Sequence, residues 1–472
     1  MFNRSSLILW LAAGLIMVAS AGAQEFPIAI DRDSTFSASA VYGGTSGIVA
    51  ILGDTLGQSN LTAQLVYPPD SLIGPRISIG RQAEFPGALT AFDGTNYLLV
   101  WRESDGMLNG QFVSTAGSLV GGYFNIASGA SLMHPGDFGL AFNDTSYLVI
   151  FVKAADTLLY GQRVSKSGSL IGGQIQISGN PARDVSLAYD GTNYLTAWVK
   201  VIADSDKDIY GQFVGGNGSL TGSNFLIDGG PNLSDNPTSL AFDGSRYLLV
   251  YHEKPDTLSN WTLMGRFITT AGTLQDTIVV CDSTLNPGMP SIAFDGTNYL
   301  ITWSQYSILS LMGRFWSPSG APVDTPFVLF DYLAGRVPMG GCGFGGGKYL
   351  VVCSRMDFNF TDGDVYGRFL DPLAAGVTGR DELPAGVLSL SQSYPNPAGG
   401  PAVISYQLAK DEYVELKVYD MLGREVKTLA SGGQSAGNHS VKIVPGSLPN
   451  GVYFYRLQAG AFSETRKLLL MR

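Results

Sequence analysis

Charge, histidine and cysteine are all scarce in this chain of 472 residues. Charged residues make up 14% of it, well under the usual share of a globular protein. Its net charge is −10, and the repeats described below hold no basic cluster. Such a surface is a poor partner for nucleic acid or an anionic membrane. His134, His252 and His439 lie far apart in the sequence, which leaves little material for a histidine metal site or a Ser-His-Asp triad. Cys281, Cys342 and Cys353 are too few for a disulfide framework. An oxidising compartment would permit one bridge, between Cys342 and Cys353, which flank one hairpin at nearly opposed positions; the alternative is three buried free thiols. There is no Gly-rich phosphate cradle and no Cys-x-x-Cys.

Long apolar runs are missing too, with one exception. Arg4 precedes an apolar run from Leu7 to Val18, followed by Ala21-Gly22-Ala23. A basic start, an apolar core and a small-x-small site describe a secretory signal peptide, residues 1–23, cut before Gln24. The run is short for an anchor helix, and beyond it no stretch approaches the roughly 18 to 20 apolar residues of a membrane span. No cysteine follows the cleavage site, so a lipid anchor is not expected.

What the chain has in plenty is glycine, 60 residues, and aromatic side chains, 11%. They fall in a repeat. An aromatic residue ahead of a short turn recurs at Tyr42, Phe92, Phe142, Tyr189, Phe242, Phe294 and Phe344, at steps of 50, 50, 47, 53, 52 and 50 residues. That period belongs to solenoids, propellers and arrays. Each copy resolves into four short strands. The first ends at the aromatic, a short turn follows that is Asp-Gly in four copies, and the second is apolar at nearly every position, as in NYLLVW at 96–101. The third carries Gly-Gln or Gly-Arg, as in Gly110-Gln111-Phe112, and the fourth reads Phe-x-Ile, as in Phe124-Asn125-Ile126. Four antiparallel strands about every 50 residues describe an all-β fold, a seven-bladed β-propeller, over residues 24–370. The first and seventh copies depart most from the pattern, which leaves the blade count open by one. The seventh lacks a fourth strand, and Phe26-Pro27-Ile28-Ala29-Ile30 matches the missing piece. The expectation is that strand 26–30 closes the last blade.

The turn inside the first hairpin and the step from strand three to strand four keep a nearly constant length, whereas the other two connections vary. Strands alternate direction, so the variable loops share one face, where binding usually resides. The candidate ligand-binding residues there are Glu103, Asp105, Asp204, Asp206, Asp208, Glu253, Trp261, Asp357, Phe358 and Asp362. Acids around aromatics suit a carbohydrate, a cation or a basic protein segment. Asp204, Asp206 and Asp208 alternate as ligands do in calcium loops, but the Gly and closing Glu of an EF-hand are absent. Calcium is the one cofactor left open, and no other metal or cofactor is expected. The pairs Glu103 with Asp105 and Glu253 with Asp256 could do glycosidase chemistry at the right separation; solvation is the alternative role. No catalytic residue is assigned.

Residues 371–387 read as a linker. Residues 388–472 alternate apolar and polar positions in about seven short runs, which indicates a small β-sandwich of immunoglobulin-like kind. The motifs Tyr394-Pro395-Asn396-Pro397, Tyr419-Asp420 with Gly423, Gly451 with Tyr453, and Lys467 closely resemble the type A sorting domain of type IX secretion found in Bacteroidota. The resemblance implies passage into the periplasm, recognition of residues 388–472 by an outer-membrane translocon, and release or attachment at the cell surface. Ala398-Gly399-Gly400 departs from the family pattern. The leading expectation is an exported, non-enzymatic propeller that binds a carbohydrate or protein ligand. A polysaccharide hydrolase or lyase using the variable-face carboxylates, and a structural surface protein, are the alternatives.

Overall fold

Five of the repeats fold around a turn that one of their own side chains ties. Asp93 Oδ1 accepts from the backbone N–H groups of Thr95 and Asn96 at 2.8 and 2.7 Å, and Gly94 takes φ +89°, which glycine adopts at no steric cost. The same clasp recurs at Asp190, Asp243 and Asp295, and at Asn143, where Asp144 occupies the left-handed position. The Asp-Gly pairs are therefore committed to shaping turns.

The computed structural model describes residues 25–372 and 389–470, apart from 30–33, 44, 56–57, 69, 85–86, 132, 135, 204–205, 230–232, 235–238, 255–258, 307–308, 331–335, 358–362, 391–401, 409, 422, 436, 444–447 and 461. The signal peptide, nearly all of the linker, Ile30 and the Tyr394, Pro395, Asn396 and Pro397 motif lie outside the described residues. The chain divides into two compact regions, Met1–Thr378 and Gly379–Arg472.

In the first region the described residues build antiparallel modules of four strands, five as separate sheets and two joined through Leu233–Ser234 into one nine-stranded sheet. The first runs from Ser34–Gly43 to Ser71–Gln82, the second from Ala88–Phe92 to Leu119–Ala127, and the third from Phe138–Phe142 to Leu170–Gln176. The fourth spans Arg183–Tyr189 to Leu220–Asp228, the fifth Ser239–Phe242 to Leu274–Cys281, and the sixth Pro287–Phe294 to Phe327–Phe330. The seventh takes Arg336–Gly345, Lys348–Asp357 and Gly363–Leu370 from its own sequence, and its fourth strand is Phe26–Ala29, with Phe26 opposite Gly367.

The glycine of strand three is a packing device. A Cβ on Gly110 would lie 2.7 Å from the Phe124 ring, and one on Gly211 would lie 2.8 Å from Ile227 and 2.9 Å from Phe225. Gly367 faces Phe26 and Ile28 in the same way, at 2.6 and 2.8 Å. The following glutamine has its own task. Gln111 Nε2 donates to the carbonyls of Phe112 and Val120 at 2.9 and 3.2 Å, which locks strand four where Gly121 turns to φ +68°. Gln64, Gln162 and Gln212 repeat this bond.

Cores lie between modules. Strand two is buried from end to end in the third module, because neighbouring sheets cover both its faces. Val149 and Phe151 of that strand pack with Leu98 and Val100 of the second module, while Leu148 and Ile150 pack with Trp198 of the fourth. The last core joins Leu350 and Val352 of the seventh module to Val49 and Ile51 of the first, around Phe26 and Ile28. Each core residue of this size contributes roughly 1.5–3 kcal/mol when buried. Tyrosines stitch the turn face: Tyr349 Oη donates to the Asn298 carbonyl of the preceding module at 2.9 Å, and Tyr97 Oη donates to Ser46 O at 2.6 Å.

All three cysteines are free. The hairpin register puts Cys353 opposite Gly340 and Cys342 opposite Val351, so the two cysteines are diagonal neighbours rather than a facing pair. The Cys342 thiol instead contacts Ser291 Oγ and the Leu300 carbonyl, both at 3.7 Å.

The second region is a sandwich. A three-stranded sheet, Ser389–Leu390, Ala402–Leu408 and Gly437–Ile443, and a four-stranded sheet ordered Glu425–Gln434, Glu412–Tyr419, Gly451–Ala459, Phe462–Leu470 share one core. Ile404, Tyr406 and Ile443 come from one side, and Leu416, Val418, Tyr455 and Leu468 from the other.

Candidate functional site

The end of strand two, the start of strand three and the connection from strand four to the next module define the variable-loop face. In the second module Glu103 and Asp105 occupy one tight turn. Asp105 Oδ1 accepts from Met107 N at 3.0 Å, and Glu103 Oε1 accepts from Trp101 Nε1 at 3.4 Å. Both carboxylates thus support the turn that carries them.

Asp206, Asp208 and Asp357, expected on variable loops, stand in strands in the structure. Asn193–Ala203 and Asp206–Gly215 form a continuous hairpin in which Lys200 faces Asp208 and Ala203 faces Asp206. Asp208 is buried, Asp206 has its backbone in the strand, and Asp204 lies outside the described residues. Asp357 likewise ends strand Lys348–Asp357, opposite Arg336, while Phe358 and Asp362 lie outside the described residues.

The fifth module gathers the most varied chemistry. Strand Arg246–Lys254 carries His252, Glu253 and Lys254, with Glu253 paired to Thr262 and to Ser234. Trp261, half-buried just ahead of strand Thr262–Thr269, has its ring 5.8 Å from that of His252, and Lys254 Nζ lies 4.3 Å from its centroid. Asp256 lies outside the described residues. Among the described residues no three of His, Cys, Asp and Glu converge as metal ligands.

Several buried polar groups on this face escaped sequence reasoning. Arg102, 3% exposed, donates to the Ser131 carbonyl and lies over Phe138 at 5.8 Å. Burial pushes its guanidinium below the ordinary value, and the negative charges of Asp137 and Glu84 oppose that shift. Asp137 Oδ2 accepts from Ser131 Oγ at 2.7 Å and His134 N at 3.2 Å, and Asp137 Oδ1 accepts from Asp184 N at 3.3 Å. The network ties the second, third and fourth modules together. Its signal was the polar residue straight after the aromatic end of strand two: Arg102 after Trp101, His252 after Tyr251, Ser304 after Trp303.

In the second region Tyr419, Asp420 and Gly423 lie at the end of strand Glu412–Tyr419 and in the turn after it. Gly451 opens strand Gly451–Ala459, and Tyr453 is buried with its hydroxyl donating to Pro449 O at 3.0 Å. Lys467 stands opposite Phe454 in the ladder. Residues 392–471 match the family described as secretion system C-terminal sorting domain. The chain ends in a type IX secretion sorting domain. That domain marks the protein for export, whether it is released or held at the cell surface. No helix among the described residues is long and apolar enough to cross a membrane.

No curated protein matches the chain. Among solved structures, a lectin from Burkholderia pseudomallei is similar at 14% identity and a TM-score of 0.56, over 73% of this chain and 97% of the lectin. The β-propeller domain of the trilobed protease from Pyrococcus furiosus matches at 10% identity and a TM-score of 0.44, over 72% of this chain and 98% of that domain. An α-L-arabinofuranosidase from Lactobacillus brevis matches at 10% identity and a TM-score of 0.34, over 50% of this chain and 90% of the enzyme. The first region of the sorted protein is all-β and propeller-like, a series of four-strand groups.

Proposed function

We propose that residues 24–370 form a seven-bladed propeller whose variable-loop face binds a carbohydrate without catalysis of its own. The sorting domain, an immunoglobulin-like sandwich, delivers it through the type IX translocon. The observation that carries the binding reading is the cluster on the fifth module. The half-exposed Trp261 ring offers an apolar plane, with the Lys254 ammonium over the ring and the buried His252 packed beside it. A sugar presents the complement, an apolar C–H face ringed by hydroxyls. The likeness to a lectin supports a fold able to host such a site and nothing finer, because function resides in the site rather than the fold.

The test is a glycan and polysaccharide binding screen with the whole exported chain, with and without calcium, followed by product analysis of every ligand bound. Saturable binding without product supports the proposal. Turnover abolished by Glu103→Gln or Glu253→Gln would replace it with a polysaccharide-acting enzyme. Absence of glycan binding would overturn it in favour of a protein ligand or a structural surface role.

A further inference from the structure

The motif residues of the sorting domain divide into two sets. Tyr453 is buried beside Tyr455 of the core, and packing accounts for it. Tyr419, Asp420 and Gly423 belong to the second set, at the outer face of the four-stranded sheet. They surround a pocket of about 210 Å³, completed by Met421, Phe454, Arg456 and Thr465.

Each wall has its own chemistry. Asp420 Oδ1 accepts from Arg424 N at 3.0 Å and Oδ2 from Arg424 Nε at 2.7 Å, so its charge is answered within the turn. Gly423 closes that turn at φ +76°, which a residue with a Cβ rarely adopts. Arg456 lies over the Tyr419 ring at 5.1 Å, and its Nε donates to Thr465 Oγ1 at 3.1 Å. Among the described residues no carboxylate meets its terminal nitrogens. Met421 is 72% exposed and Phe454 38%, two apolar side chains at the rim that contribute little to the core.

We infer that this pocket is the surface by which the sorting domain docks onto the export machinery, and that it receives an extended segment pairing a carboxylate with an apolar side chain. The carboxylate meets Arg456, whose planar guanidinium binds that group in bidentate fashion, and the apolar group enters between Met421 and Phe454. Charge agrees with this choice. Residues 379–472 carry ten Lys and Arg against eight Asp and Glu, whereas the rest of the chain has a net charge of −12. An acidic docking segment is thus drawn to the sorting domain and repelled by its cargo. The inference rests on the sorting assignment and is independent of the propeller's ligand.

The experiment follows export of the full chain in a type IX-competent host, as the ratio of released or surface protein to periplasmic protein. Met421→Asp, Arg456→Glu and Arg456→Lys are compared with deletion of 388–472. The expected result is a fall of about tenfold for Met421→Asp and for Arg456→Glu, the scale of one docking anchor, with a smaller loss for Arg456→Lys. Thermal melting of the purified variants should be unchanged, and Met421→Asp, at a side chain outside the core, separates docking from folding. Export at the unsubstituted level by both Met421→Asp and Arg456→Glu, while the deletion blocks it, would overturn the pocket alone. Undiminished export by the deletion would overturn the sorting assignment and the pocket with it.

Discussion

Arg355 and Glu25, 330 positions apart, meet side by side: Nη2 donates to Oε2 at 2.8 Å and Nη1 to Oε1 at 3.2 Å. Arg355 is nearly buried. Burial alone would lower its pKa, but the hydrogen bond and charge of Glu25 outweigh burial and raise it. This pair, the Phe26 ring stacked on Phe369 at 5.6 Å and the strand pairing of Phe26–Ala29 hold the first described residues to the seventh module. Deleting residues 24–31 should cost at least the burial of Phe26 and Ile28, about 3–6 kcal/mol, and lower the first melting transition by several degrees. Glu25→Gln should cost about 1–3 kcal/mol by weakening a charge-assisted pair. Differential scanning calorimetry of the whole chain reads both, and an unchanged transition after the deletion would show that the strand holds nothing closed.

The same strand sets a second expectation. Gly367→Ala would bring a Cβ within 2.6 Å of Phe26 and 2.8 Å of Ile28, so the N-terminal strand must shift. Overpacking of this kind costs about 1–3 kcal/mol. Gly211→Ala, against Ile227 and Phe225, should cost a similar amount. Gly122→Ala, which meets nothing within 4 Å, should be close to neutral. Urea unfolding midpoints of the three variants check the order, and equal midpoints would remove the packing role assigned to strand-three glycine.

Buried thiols give a pH dependence of definite sign. Burial pushes Cys281 and Cys353 up to about 12, and Cys342 up to about 11, against about 8.5 in an unfolded chain. A raised thiol pKa means that the folded state favours the neutral form. Its stabilising share is full below the unfolded value and is lost as pH rises from about 8.5 toward the folded values. Melting temperature should therefore fall between pH 8 and pH 10.5, and Cys353→Ala should flatten part of that slope. A maleimide at pH 7.5 should label the buried Cys281 and Cys353 of the folded chain slowly and the urea-unfolded chain at three sites; rapid labelling of either in the folded chain would contradict this burial.

The legible parts of this protein were local ones repeated many times. Asp93-Gly94 is read as a turn because the side chain and the backbone that bond each other lie within three residues. The pairing of Gly110 with Phe124 is readable because the same spacing returns at Gly211 and Phe225. The variable-loop face was harder. Lys200, Asp206 and Asp208 look like loop residues one by one, and only the hairpin register places them on a ladder. Arg102 finds Ser131, and Asp137 finds Asp184, in the next modules along the chain. Those contacts come from how modules stack, about which local sequence is silent.

Trp261 offers the most direct test of the proposed binding face. Its ring sits beside Lys254 and His252 at the end of the fifth module and outside the inter-module cores. Replacing it should remove an apolar platform without opening a core cavity. For a glycan bound by the unsubstituted chain, Trp261→Ala should weaken binding by at least about tenfold, the scale of one aromatic anchor, and shift the melting transition little. Lys254→Ala should weaken binding less, because it removes a donor and a cation–π partner but keeps the ring, a contribution of about 0.5–2 kcal/mol. Isothermal titration calorimetry measures both. Equal affinity in Trp261→Ala and the unsubstituted chain would move the site away from the fifth module, toward the turn at Glu103 and Asp105 or off this face altogether.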